Sequence, residues 1–178
     1  MPVGAFTAVR LGAFVAAESD RRLVPLAAQP VSRLRLLGAE IVVAIGGAVV
    51  LLSVAAVATW AGVVAVHGDF TLIEALRGTW NTLPIVLLSA GAAVLACGLA
   101  PRAVAVAGAL PATGGFLLLV TAESAGAPAV VRNLSPFAHL APVPLTGVDW
   151  PGAVAMTGVA VALVAAGALT YRRRDLLC

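Results

Sequence analysis

The stretch GAEIVVAIGGAVVLLSVAAVATWAGVVAV, residues Gly38–Val66, decides the fold class. Glu40 is its one ionisable side chain; the rest is aliphatic or small, with Ser53, Thr59 and Trp60 the exceptions. A helix of about 20 apolar residues, rising about 1.5 Å each, matches a hydrocarbon core of roughly 30 Å. This run is longer than that and must tilt or protrude at one end. Working outward, Asn81–Leu99, Ala103–Ala122 and Pro151–Tyr171 are long and apolar enough to cross as well. Hydrophobic residues make up 61% of the 178 and charged residues 11%, a balance that a water-soluble domain does not sustain on its surface. The sequence therefore predicts an all-α, polytopic transmembrane bundle of four spans.

The charges set its orientation. All eleven basic residues are arginine, and only Arg77 and Arg132 fall between the first and second or the third and fourth spans. The other nine flank the opposite ends of the spans, which puts those ends, and both termini, in the cytosol by the excess of basic residues there. A net charge of +3 without a basic stripe beside stacking aromatics excludes nucleic acid as a partner. Trp60, Trp80 and Trp150 lie near the outer ends of spans, where indole favours the headgroup layer. The chain divides into residues 1–36, read as a cytosolic or interfacial amphipathic segment, and residues 37–178, the four-span domain.

The connections differ in kind. Pro101-Arg102 is a short inner turn that makes the second and third spans antiparallel neighbours. Outside, Phe70, Ile73, Leu76 and Trp80 recur at helical spacing, as in an amphipathic helix lying at the interface. Residues 123–150 carry Pro128, Pro136, Pro142 and Pro144 among many apolar residues, which predicts short helices dipping back against the bundle.

Few residues are candidates for chemistry. Glu40, just inside the first span, is expected to snorkel or to pair with Arg33 or Arg35. Gly46-Gly47 and Gly114-Gly115 are expected to let helices approach closely, and Pro84 and Pro111 to kink theirs. Ser53, Ser89, Thr113 and Thr157 are the small polar groups available to line a substrate path, although hydroxyls in spans also serve as helix–helix contacts. Cys97 and Cys178 have no ligand partner nearby in sequence, so no metal or cofactor site is expected. An enzyme would have to use His67, Glu123, His139 or Asp149, but no H-E-x-x-H or G-x-S-x-G pattern joins them. A four-span subunit that transports nothing is the remaining alternative.

The segment before the first span carries the most specific information. Glu18, Arg22, Pro25, Leu26, Ala28, Pro30, Val31, Ser32 and Arg33 form a charged start, an apolar knob, a proline break and a Ser-Arg entry to a helix. In that order they resemble the cytosolic segment of bacterial ABC-2-type exporter permeases, most closely the actinobacterial polyketide-antibiotic or multidrug exporters. The run Leu134-Ser135-Pro136-Phe137-Ala138-His139-Leu140 with Pro142, and the terminal Tyr171-Arg172-Arg173-Arg174-Asp175-Leu176, carry the same likeness. It covers essentially the whole chain, yet such permeases hold more spans, so the resemblance is to the C-terminal part of one. Arg21 and Val24 depart from the family pattern of a glycine and an acid.

That resemblance implies a permease subunit or half-subunit in the bacterial plasma membrane, exporting a lipophilic, antibiotic-like molecule with the help of a separate cytosolic ABC ATPase and further permease chains or spans. ATP and magnesium would belong to that partner. This chain has no lysine with which to build a phosphate-binding loop. Glu18, Asp20, Arg21, Arg22 and Arg33 would make charge contacts with the ATPase, and Leu23 and Leu26 would fill an apolar pocket on it.

Overall fold

The computed structural model describes residues 2–19 and 33–173, and among them there is no strand. Helix α1 is Pro2–Ser19, α2 is Arg33–Ala65, α3 is Leu72–Trp80 and α4 is Leu83–Leu99. A short 3-10 turn, Pro101–Ala103, leads into α5, Val104–Ala109; a π-helical turn, Leu110–Gly114, joins it to α6, Gly115–Ser124. The outer segment holds α7, Ala129–Arg132, and a 3-10 turn, Pro136–His139, before the last helix α8, Trp150–Arg173. Four helical stretches have the length and composition to cross a membrane: Arg35–Ala65, Leu72–Leu99, Pro101–Ser124 and Trp150–Arg172. They fall where the four apolar runs place them.

Helix α4 is the centre of the bundle. Its Pro84, Ile85, Val86, Ser89, Val94 and Cys97 are buried. Pro84 occupies the first turn, where a missing N–H costs no hydrogen bond, so it starts the helix instead of kinking it. Helix α8 runs parallel to α4 at backbone contact: a Cβ added to Gly167 would lie 2.6 Å from the Val94 carbonyl oxygen, and one at Gly91 2.8 Å from that of Ala160. Small residues permit this approach, and the dispersion contacts it creates hold helices together where apolar burial gives no advantage over lipid.

Helix α1 is seated in the bundle. Residues 2–19 run lengthwise through it, parallel to α4 and antiparallel to α2 and α5. The register is set by small residues: Gly4 meets Ala112 and Ser89, Ala8 meets Gly108, and Gly12 meets Ala105. Leu11 and Val15 complete a core cluster with Leu37, Val94, Cys97, Val104 and Tyr171. Val3 joins a second cluster with Ala48, Leu52 and Val86. Arg10 breaks the apolar pattern of α1 in the sequence, but it lies opposite Glu40, its Nη2 2.9 Å from Oε1. Glu40 thus finds a partner on α1, because the antiparallel register of α1 and α2 brings Arg10 and Glu40 level.

Pro111 does not simply kink its helix either. It sits inside the π-helical turn, which accommodates the missing N–H while the Gly115 N–H bonds to the Leu110 carbonyl. The glycine pairs are only partly used as expected. Gly47 packs on the Phe6 ring and Gly115 on Pro136, but nothing lies within 4 Å of a Cβ added at Gly46, and Gly114 meets only its own helix at Leu110.

Candidate functional site

Two ends of the bundle matter, one marked by Arg102 and Arg172 and the other by Trp80 and Trp150. At the tryptophan end, α3 is an amphipathic helix begun by a capping box. The Glu74 N–H donates to Thr71 Oγ1 (3.3 Å), while Glu74 Oε2 accepts from the Thr71 N–H (2.8 Å) and hydroxyl (2.7 Å). Asn81 and Thr82 turn the chain into α4, and Asn81 Nδ2 donates to the Ala141 carbonyl at 2.9 Å, tying the outer segment to the bundle.

That outer segment dips back as expected. Gly126, at φ 62°, ends α6 in the left-handed region that favours glycine. Further on, the buried Ser135 hydroxyl donates to the Gly115 carbonyl at 2.7 Å and accepts from the Phe137 N–H at 3.2 Å. Gly115 lies nine residues before the end of α6, so Ser135 sits roughly 13 Å below it. Phe137 meets Phe116 edge to face at 5.9 Å, and His139 Nε2 braces the turn on the Asn133 carbonyl at 2.9 Å.

Between α3, the start of α4, residues 143–148 and the first half of α8 opens a cleft of about 1000 Å³. Its polar groups gather near the helix ends, with Glu74, Arg77 and Asn81, and Trp80 and Trp150 beside them. Farther along, Pro84, Val154 and Val161 make it apolar. Val161 lies eleven residues into α8, so the cleft reaches roughly 16 Å down that helix. An apolar cavity with a few polar groups at one end suits an amphiphile of drug or lipid size. A smaller groove of about 370 Å³, lined by residues such as Leu95, Leu99, Ala107, Leu110 and Leu163, lies toward the arginine end.

The four hydroxyls proposed for a substrate path do not converge. Thr157 lines the outer cleft, its hydroxyl donating to the Ala153 carbonyl at 2.8 Å. Ser53 bonds to Val49 in α2 at 2.9 Å, and Thr113 is exposed on the π-helical turn. Ser89 is fully buried against α1 near Ala112, and its hydroxyl finds no hydrogen-bond partner among the described residues. The cleft itself was not legible in the sequence; the signal that pointed nearest to it was the amphipathic spacing of residues 70–80.

Of the candidate catalytic residues, His139 and Asp149 make local structural contacts through their side chains. His67, at φ 60°, lies two residues beyond the end of α2, where Gly68 N–H bonds back to Val63 at 2.9 Å and His67 N–H to Val64 at 3.0 Å. Asp149 caps α8 by accepting from the Gly152 N–H at 3.3 Å. Among the described residues no group of three His, Cys, Asp or Glu is placed to hold a metal.

Asp20, Arg21, Arg22, Leu23 and Leu26 lie outside the described residues, while Glu18 is in the last turn of α1 and Arg33 opens α2. The neighbouring ends of α1 and α2 pack around Val15, Leu37 and Tyr171 at the arginine end.

The sequence matches, over residues 1–172, the family model described as the C-terminal domain of the multidrug efflux system permease Rv1217c. It is 33% identical over 166 residues to the multidrug efflux system permease protein Rv1217c of Mycobacterium tuberculosis (strain ATCC 25618 / H37Rv), an alignment that takes in 90% of this chain. The chain spans about 30% of the length of that relative. With four membrane-length helices in the fold and this match across nearly its whole length, the chain belongs to the family of Rv1217c-type multidrug efflux permease C-terminal domains.

Proposed function

We propose that this chain is the membrane-embedded part of a bacterial plasma-membrane exporter that carries a lipophilic molecule outward, driven by a separate ABC ATPase. The observation that carries this reading is the arrangement of the two ends: α1 stops and α2 starts side by side at the arginine end, and a large apolar cleft opens at the tryptophan end. The arginine end faces the cytosol, by the bias of basic residues; α1 and α8 both end on that side and α2 begins there, while α1 starts toward the opposite end of the bundle. Residues 18–35 dock on the ATPase through Glu18, Asp20, Arg21, Arg22 and Arg33, with Leu23 and Leu26 in an apolar pocket.

Closure of the ATPase around nucleotide pushes on those residues. Because α1 is seated along α4 and α5 and antiparallel to α2, the push reaches the centre of the bundle directly, and the outer cleft changes its access. The absence of lysine leaves this chain without the residue that usually holds the β and γ phosphates, so hydrolysis belongs to the partner.

The test is Arg22→Glu with Arg33→Glu in the assembled transporter. Membrane insertion should be unchanged and stimulation of the ATPase abolished; stimulation at the wild-type level would overturn the docking. A cysteine at Ser32 should react only with reagents that reach the cytosol, and labelling from outside would overturn the orientation.

A further inference from the structure

The cleft at the tryptophan end has a chemical asymmetry that its size alone does not convey. Its two charged groups, Glu74 and Arg77, lie one turn apart on α3. Glu74 is already committed, since one oxygen of its carboxylate accepts both the N–H and the hydroxyl of Thr71 in the capping box. Arg77 is exposed, lines the cleft, and has no ion-pair partner within 4.0 Å among the described residues. Asn81 already donates to Ala141 and Thr157 to Ala153. The guanidinium is the positively charged donor among the residues lining the cleft, and it sits where the apolar walls begin.

We propose that the cleft binds an amphiphile with an anionic head, held by Arg77 while its hydrocarbon body lies between α4 and the first half of α8. A guanidinium takes a carboxylate, sulfate or phosphate through two parallel hydrogen bonds, and the surrounding apolar surface strengthens them. A cationic head would meet Arg77 in repulsion and would have only the engaged Glu74 to pair with. A neutral head would leave the guanidinium unpaired under the bound hydrocarbon. Trp80 and Trp150, at the same depth as the head, would frame it as indoles do at a headgroup layer. The role of this ligand as exported cargo rests on the efflux reading; its binding does not.

The two tryptophans supply the assay. With Trp60→Phe, the remaining emission comes from Trp80 and Trp150, both lining the cleft. This chain is placed in nanodiscs of phosphatidylcholine, without nucleotide, and titrated with bromododecanoate, whose bromine quenches indole on contact. Saturable quenching is expected. Bromododecanol and bromododecyl-trimethylammonium should bind about tenfold more weakly or not at all, since a charge-assisted hydrogen-bond pair is worth about 1.5–3 kcal/mol and 1.4 kcal/mol is tenfold. Arg77→Gln should weaken the acid by a similar factor and leave the alcohol unchanged.

Gly158→Phe places a ring in the cleft at a position with nothing within 4 Å, so it should block all quenching without disturbing the fold. A second arm replaces the acid by phosphatidylglycerol with brominated chains. Quenching there that Arg77→Gln relieves identifies a membrane lipid as the source of the anionic head, whereas quenching by the free acid alone identifies a cargo molecule. Equal or tighter binding of the cation, or an acid affinity unmoved by Arg77→Gln, would overturn the proposal. Because no nucleotide is present, these results stand whether or not an ATPase drives the chain.

Discussion

Gly108→Ala tests the seating of α1 more sharply than any other single change. A Cβ at Gly108 would lie 2.8 Å from Ala8 Cβ, 2.9 Å from Ala93 Cβ and 3.1 Å from Ala8 Cα. Carbon atoms in contact prefer about 3.5–4.0 Å, so α5 must retreat from α1 and α4 by about 0.5–1 Å. All three opposing atoms belong to rigid helical backbone or to alanine, and none has a rotamer to swing away. Overpacking of this kind costs about 1–3 kcal/mol, from which up to about 1 kcal/mol of improved helix propensity is subtracted. The net loss expected is about 1–2 kcal/mol, and at roughly 2–4 °C per kcal/mol it lowers the melting temperature by several degrees.

The assay is thermal unfolding in detergent followed by intrinsic tryptophan emission, with Gly46→Ala as the control. Nothing lies within 4 Å of a Cβ there, so that variant should melt at or above the wild type. Adding Ala8→Gly to Gly108→Ala removes the nearest opposing methyl. The pair should therefore be non-additive, recovering at least about 0.5 kcal/mol. Wild-type melting of Gly108→Ala, or strict additivity with Ala8→Gly, would mean that α1 is not packed in this groove. The case for α1 as a transmitter of ATPase motion would fail with it.

Three further outcomes follow from the same contacts. Exchanging Arg10 and Glu40 (Arg10→Glu with Glu40→Arg) should recover most of the stability that either single substitution loses, about 1 kcal/mol for a pair this exposed, in the same melts. Ser135→Ala removes the buried hydrogen bond to Gly115 and the acceptor of the Phe137 N–H. It should cost about 1–2 kcal/mol and speed hydrogen exchange at the Phe137 amide, and unchanged exchange would contradict the re-entrant geometry. His67→Gly should raise stability by up to about 1 kcal/mol, because glycine meets φ 60° without a Cβ penalty, and a lower melting temperature would contradict that backbone conformation.

What the amino-acid order determined by itself is the membrane class, the four long spans and the dipping outer segment. Those follow from one-dimensional quantities: the length of an apolar run against the thickness of a bilayer, and the position of prolines. The resemblance carried by residues 18–33 and 134–142 pointed to the right family, since those residues stand in the family's order along the chain.

Which glycines serve as contacts was decided only by tertiary structure. Gly46 and Gly47 are adjacent in sequence, yet only Gly47 faces a neighbour, Phe6; the tightest helix approaches fall instead at Gly4, Gly91, Gly98, Gly108 and Gly167. A uniformly apolar helix has no polar face to show which side turns inward, so periodicity could not select among them. The same holds for α1. Its Arg10 reads as an interruption until Glu40 is brought level with it by the antiparallel packing of two helices. The outer cleft, assembled from α3, α4, α8 and residues 143–148, exists only where those separate elements meet. Apolar length is a property of each segment alone, but charge pairing, close approach and concavity are properties of pairs, and those are fixed by register between helices.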